Sequence, residues 1–346
     1  MDAISKTVEK ERSATAPAVS VILSTYNRSN ILPYSISTVL GQTRGDWELL
    51  VVGDGCTDDT ADVVSRFGDA RIRYVALEPR VGDQSGPSNA GIALARGRYI
   101  ALLNHDDLWF PDHLERSLET LEKKGADLTF TLQLEADPDA RWRVNASYPG
   151  GNFDPIVHPN ASTWVFRREL AARTGPLRGR KQVFTYPTRD WLWRAHNEGA
   201  TLVATPAITV LVVSATTRRN VYAERQWREH AALWDAMRTD PGFREKRVTE
   251  AWLHPAPTHL KIFGFGVLFR AIAQRAVGRI AQALGVDPEV VYCYYKFPRR
   301  WGFLPSRGAV IRELNRRRGL AEMREPGSDE TSAGRTSPDS SAGPFR

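Results

Sequence analysis

Three short polar clusters hold most of the side chains that could do chemistry in the first third of this 346-residue chain. They are Thr25-Tyr26-Asn27, Asp54 between Gly53 and Gly55, and Asn104-His105-Asp106-Asp107. A tyrosine ring can stack on a planar heterocycle, and a threonine hydroxyl or an asparagine amide offers hydrogen bonds beside it. A carboxylate such as Asp106 is the hard oxygen ligand that Mg²⁺ or Mn²⁺ prefers. Each residue also has a plainer use. Tyr26 could be a half-buried strand-end aromatic, Asp54 a turn residue, and Asp107 the cap of a helix with Pro111 near its first turn. A fourth candidate, Asp190 in Thr188-Arg189-Asp190-Trp191, is an acid that could take a proton or cap a helix.

The elements around these clusters say how they could meet. Ala18–Leu23 is short, apolar and β-branched, the pattern of a buried strand, and Ser24 to Asn27 stops it. A helix is expected over Ile31–Leu40, with Asn30 as its cap. Strands follow at Glu48–Val52, Ile72–Ala76, Tyr99–Leu103 and Leu128–Leu134. Helices are expected between them at Thr57–Phe67, Asn89–Ala95 and Pro111–Lys124. Alternating strands and helices imply a mainly parallel sheet flanked by helices, an α/β class. Ligands of such sheets sit outside the carboxyl ends of the strands. All three clusters follow strand ends, so they are expected to line one site.

The motifs in order resemble the family-2 glycosyltransferases of the GT-A fold. The first-strand segment Val19–Asn27, the loop Gly53-Asp54-Gly55-Cys56-Thr57-Asp58, and Leu102-Leu103-Asn104-His105-Asp106-Asp107 carry the likeness. It covers roughly residues 18–215 and is strongest up to Leu114. The resemblance implies an inverting transfer of sugar from a nucleoside-diphosphate sugar, UDP- or dTDP-linked, to a hydroxyl acceptor. It makes Thr25, Tyr26, Asn27, Asp54, Asn89, Asn104 and His105 donor-binding residues. Asp106 would position Mg²⁺ or Mn²⁺, and Asp190 would be the general base. Trp164 and Trp191 would stand on the acceptor side, where a tryptophan face can carry a sugar ring; a core tryptophan is the other reading. The chain departs from the family pattern at Asn104, where aspartate is usual, at Ser88, where arginine is usual, and at Arg189, where glutamate is usual. Arg80 could supply the charge missing at Ser88.

The rest of the chain sets bounds. Apolar residues at 42% and charged residues at 25% suit a globular protein. Cys56 and Cys293 have no metal-ligand or disulfide spacing, which suits a reducing, cytoplasmic compartment. The net charge of +7 suits diphosphate-bearing partners, but there is no nucleic-acid recognition motif. The expected organisation is a flexible N-terminus (1–16), the catalytic domain (17–215), a mainly helical extension (216–324) and a disordered tail (325–346). Helices are expected at Asp190–Glu198 and Asn220–Arg238, and one or two strands over Thr201–Val213. A basic amphipathic pattern over Gly264–Leu284 could lie on an anionic membrane at its inner face or pack on the domain. Two other functions fit less of the pattern. A sugar-1-phosphate nucleotidyltransferase would want glycines after the first strand, and a non-catalytic sugar-nucleotide-binding protein would explain Asn104 and Arg189.

Overall fold

Val19–Thr25 reads VSVILST and buries every residue but Ser24, which partly shows, so it must be an interior strand covered on both faces. In the computed structural model, which describes residues 16–137, 141–145, 151, 153, 158–213, 218–253 and 306–320, this strand is β1. Its parallel neighbours are β2 (Trp47–Asp54) and β4 (Tyr99–Asn104), and β3 (Ile72–Leu77) lies outside β2. Register decides what these strands deliver. Thr25 lies opposite Gly53, and Ser24 lies opposite Asn104. Thr25, Asp54 and Asn104 therefore leave the sheet along one edge.

Beyond β4 the sheet becomes mixed. Antiparallel β8 (Trp164–Arg167) joins β4 to β6 (Leu128–Ala136), and β6 runs parallel to β9 (Leu202–Val212). The two-residue β5 (Leu108–Trp109) closes on β9, and β7 (Trp142–Asn145) pairs with β6. The 201–213 segment is thus one strand, which absorbs its irregularity in register shifts near Leu132.

Helices cover both faces because successive strand residues point to opposite sides. On one face, Val21, Leu23, Leu49 and Val51 meet α1 (Leu32–Leu40) and α4 (His113–Lys124). Those helices contribute Leu32, Ile36 and Val39, and Leu114, Leu118 and Leu121, each one helical stripe. On the other face, Ile22, Leu50, Val52 and Leu102 meet α5 (Arg168–Thr174) and α6 (Pro187–Asn197) through Leu170, Trp191, Leu192 and Ala195. The remaining helices are α2 (Thr60–Ser65), α3 (Ser85–Leu94), α7 (Arg228–Thr239), α8 (Phe243–Leu253) and α9 (Ala309–Arg317). Helices α7 and α8 build a third cluster with Tyr34, Leu211 and Val213.

Several element ends differ from the sequence pattern, and side-chain bonds explain them. Helix α2 starts late because Asp58 Oδ1 accepts from Thr60 N and Thr60 Oγ1, which turns the chain first. Helix α3 starts at Ser85, four residues before Asn89, where Asp83 Oδ1 accepts from Ser85 N. Asn30 does not cap α1; its amide donates to the carbonyls of Arg225 and Gln226. The segment 218–227 is turns rather than helix. Its carbonyls at Val221, Arg225 and Gln226 accept from Arg28 and Asn30 instead of from the next helical turn. The whole of the expected 264–284 helix, both chain tails and much of the 141–159 loop lie outside the described residues. Among the described residues, no helix is long and apolar enough to cross a membrane.

Candidate functional site

A cavity of about 640 Å³ opens at the carboxyl ends of β1, β2 and β4. Its volume is in the range of small-molecule sites. The strand-end wall contains Thr25, Tyr26, Asp54, Asn104, His105 and Asp106. The sequence clusters therefore do converge, because parallel register brings three distant strand ends level.

At the end of β1, Thr25 is 3% exposed and its hydroxyl has no hydrogen-bond partner. A buried hydroxyl left unpaired against a cavity is ready for a ligand's donor or acceptor. Tyr26 offers a ring face now covered by the Arg80 guanidinium, 3.5 Å from the ring centroid. Tyr222 stands beside it, with ring centroids 6.4 Å apart. Asp54 accepts from Val81 N and Gly82 N, both at 2.7 Å, which fixes the loop carrying Arg80. Burial pushes the Asp54 carboxyl above the ordinary carboxylate range, against the pull of those two backbone bonds. A carboxylate has about four lone-pair sites, so Asp54 can still accept from a ligand.

At the end of β4, Asn104 holds a polar knot. Its oxygen accepts from Gln84 at 2.7 Å, and its amide donates to Asp107 at 2.9 Å and Asn160 at 3.0 Å. Asp107 does not cap a helix. It is 1% exposed and accepts from Ser162 Oγ at 2.6 Å and Val213 N at 3.3 Å as well. Burial first, then the neighbouring Asp106 charge, raises Asp107 to about 7. His105 sits edge-on to Tyr222, whose hydroxyl is 3.3 Å from its Nε2. Burial lowers His105 to about 4, so its imidazole is neutral near pH 7.

Asp106 lines the cavity together with Asp107. Its charge acts on Arg28 and His105, and its backbone carbonyl lies 3.2 Å from His230 Nε2. Among the described residues, no group of three or more His, Cys, Asp or Glu gathers as a metal cage. Mg²⁺ commonly takes one or two protein carboxylates and fills its shell with phosphate oxygens and water. Asp106 therefore fits a cation that arrives with a diphosphate, and does not fit one held by a protein cage.

Five expected site residues stand elsewhere. Asn27, with φ of 46°, turns away from the cavity to clamp Thr57, accepting from its N at 2.7 Å and donating to its Oγ1 at 3.0 Å. Asn89 makes the same two-way clamp with the backbone of Leu177, both bonds at 2.9 Å. Trp164 and Trp191 are core residues, at 0% and 1% exposure, and stack on each other at 6.1 Å. Their indoles donate to Pro159 O and Gly175 O, so neither presents a sugar platform. Asp190 is absent from the cavity wall. Its two oxygens meet Arg178 Nη1 at 3.2 Å and Arg194 Nε at 3.0 Å, which makes it a strut between α6 and the 174–178 segment. The residue that α6 presents to the cavity is Thr188, two positions earlier.

Other wall residues were not singled out by local pattern. Gln133, Glu135, Arg143 and Asn145 come from the β6–β7 hairpin. His158 and Tyr186 stack at 5.6 Å, and His158 Nε2 lies 3.1 Å from Thr188 Oγ1. Tyr222, Asn315, Arg318 and Leu320 come from beyond residue 215. No sequence signal joins these to the strand ends, since they lie up to some 300 residues apart in the chain.

The fold and cavity define a class: an α/β protein whose parallel strand ends form a polar, small-molecule site. Residues 20–154 match the family model described as Glycosyl transferase family 2. WfgD of Escherichia coli is named as UDP-Glc:alpha-D-GlcNAc-diphosphoundecaprenol beta-1,3-glucosyltransferase. It is 37% identical over 112 residues, which is 32% of this chain and 44% of WfgD. The succinoglycan biosynthesis protein ExoO of Rhizobium meliloti (strain 1021) is 37% identical over 112 residues, 32% of each chain. These matches span less than half of either relative's length. Among solved structures, S. aureus TarS 1–349 overlays with a TM-score of 0.48 and 14% identity, over 82% of this chain and 92% of that one.

Proposed function

We propose that this protein is a glycosyltransferase that binds a nucleoside-diphosphate sugar in the strand-end cavity and transfers the sugar to a hydroxyl acceptor with inversion. What carries this reading is that the family-matched segment delivers Thr25, Tyr26, Asp54 and Asp106 to one cavity wall. The nucleobase takes the Tyr26 face that the planar Arg80 guanidinium now covers, and its imide N–H is accepted by Asp54. The name of WfgD specifies UDP-glucose for that protein, which favours a uridine donor here. The diphosphate lies against Asp106, where Mg²⁺ or Mn²⁺ would supply charge neutralisation of the leaving group.

The acceptor hydroxyl enters opposite the diphosphate, from the wall built by the β6–β7 hairpin, His158 and Thr188. Its oxygen forms a bond to the anomeric carbon as the bond to the diphosphate oxygen breaks, and inversion follows from that in-line geometry. The proton needs a base on this wall. Asp190 was the sequence's choice, but its carboxylate is tied to Arg178 and Arg194. His158, in hydrogen-bond reach of Thr188, is the base we assign.

Calorimetry of the full chain with UDP, dTDP, GDP and ADP, each with Mg²⁺ and with EDTA, tests the donor claim. Binding of one diphosphate, tighter with Mg²⁺ and weakened by Asp106→Asn, is expected. Binding of none ends the proposal. A second reading, donor binding without transfer, draws support from the absence of a carboxylate at the cavity-facing position of α6. Release of UDP from UDP-sugars above the uncatalysed rate, lost in His158→Gln, rules for the enzyme.

A further inference from the structure

We infer that Arg318, at the C-terminal end of α9, is a diphosphate-binding residue of the donor site, supplied by a segment far outside the family-matched residues 20–154. The inference rests on the donor reading above and adds a residue to it.

Arg318 lines the cavity together with Asn315 and Leu320. Its neighbours Arg316 and Arg317 pair with Glu313 at the surface, at 2.9 and 3.0 Å. Arg318 forms no ion pair among the described residues, and its Nε is buried with no hydrogen-bond partner. An arginine side chain placed at a cavity wall with a dry, unpaired N–H normally has an anion to meet.

The backbone fixes where that charge stands. Arg318 O accepts from Tyr222 N at 3.1 Å, and Arg317 O accepts from Asn220 N at 3.0 Å. Gly319 turns the chain there with φ of 75°; a Cβ on it would lie 3.3 Å from Asn220 Cα. The 218–225 segment is itself bolted to the loop after β1, through Arg28 to the Val221 carbonyl and Asn30 to the Arg225 carbonyl. Tyr222 then reaches His105, the residue next to Asp106. Arg318 is thus held beside the Tyr222–His105 pair, next in sequence to Asp106, while Arg80 lies over the Tyr26 ring. The field of Arg318 is felt at His105, Tyr222 and Arg28.

Several other charged wall groups are already engaged. Asp54 and Asp83 accept backbone N–H bonds, and Arg143 pairs with Asp137 at 2.8 Å. Arg80 and Arg318 are the two wall arginines whose Nε lacks a partner while their side chains carry no ion pair among the described residues. A guanidinium presents paired N–H groups that match two phosphate oxygens, and its charge strengthens on the leaving diphosphate as the sugar departs.

Titration calorimetry of the full chain with UDP and with uridine separates a diphosphate contact from a structural role. Arg318→Gln is expected to weaken UDP by about tenfold or more while leaving uridine affinity and the unfolding midpoint unchanged. Arg318→Lys should recover part of the loss, and Arg317→Gln should match the wild type. UDP affinity kept within about twofold in Arg318→Gln, or an equal proportional loss of uridine, overturns the inference. If the Gln variant does not fold, the Lys variant decides: a point charge without the fork should weaken UDP alone. Wild-type protein that binds UDP while Arg318 variants behave like it sinks only this inference. Wild-type protein that binds no nucleoside diphosphate sinks the donor reading and this inference with it.

Discussion

At the residue scale, the site works by division of labour between side chains that hold loops and side chains that face the cavity. Asp54 does both. It ties the 80–82 loop by two backbone bonds and faces the wall where a base would lie. Asp54→Asn turns one acceptor into a donor aimed at a backbone N–H. UDP affinity should fall by about tenfold or more, with a stability loss of about 1–3 kcal/mol, measured by calorimetry and urea unfolding. His158 gives a different signature. His158→Gln should lower turnover by about 10²- to 10⁴-fold with UDP affinity unchanged, measured by UDP release and calorimetry. Asp190→Asn should loosen α6, read as a lower urea midpoint, with turnover of the folded protein kept. Full turnover in His158→Gln together with its loss in folded Asp190→Asn would restore the base role to Asp190.

At the element scale, the wall depends on how closely connecting segments approach β1. Gly97, between α3 and β4, lies so near that strand that a Cβ would stand 2.6 Å from Ser20 N and 2.8 Å from Val19 C. The neighbour is backbone, which cannot swing aside. Gly97→Ala should cost about 1–3 kcal/mol in urea unfolding, with UDP binding weakened only as stability is lost. The clamps Asn27–Thr57 and Asn89–Leu177 act at this scale too. Local sequence put both asparagines in the donor site because they follow β1 and lie in the segment ahead of β4. Their amides instead join two loops, each satisfying one N–H and one acceptor of its partner. The distinction needs the partner's position, which spacing along the chain does not carry.

At the scale of the whole molecule, three buried histidines tie stability to pH. Burial lowers His113 to about 3, and His105 and His230 to about 4. His113 stacks on Trp109 at 4.2 Å with its Nε2 unpartnered, so no nearby acid stabilises its cation. Above the ordinary imidazole range both folded and unfolded chains are neutral, and stability is at its full value. As pH falls below it, the unfolded chain takes protons that the folded chain refuses. Stability then falls by up to about 1.4 kcal/mol per pH unit per histidine. Asp107, raised to about 7, has the opposite sign: its folded form holds a proton between the ordinary carboxylate range and about 7, so it gains stability as pH falls. Asp54, also raised, shares that sign, while the lowered acids Glu48 and Asp58 lose stability toward acid with the three histidines, which leaves a net loss toward acid. Urea midpoints should drop between about pH 6.5 and 4, and His113→Phe should make that drop shallower.

The sequence by itself determined the parallel half of the sheet and the convergence of Thr25, Tyr26, Asp54, Asn104, His105 and Asp106 on one edge. Continuous apolar runs in β1 and β2 require burial on both faces, and the next residues along a parallel strand must leave at its carboxyl end. Those are consequences of local pattern and period. Only the tertiary structure decided the opposite wall. Trp164 and Trp191 became core because β8 and α6 pack their faces together, and Asp190 became a strut because Arg178 and Arg194 arrive from either side of it. Arg318 reached the cavity because carbonyls in 218–226 found Arg28 and Asn30 some 190 residues earlier, in the loop after β1, and because Asn220 and Tyr222 then hold the end of α9 by their backbone N–H groups. Such contacts form between surfaces that do not exist until the chain has folded, and no spacing in the sequence records them.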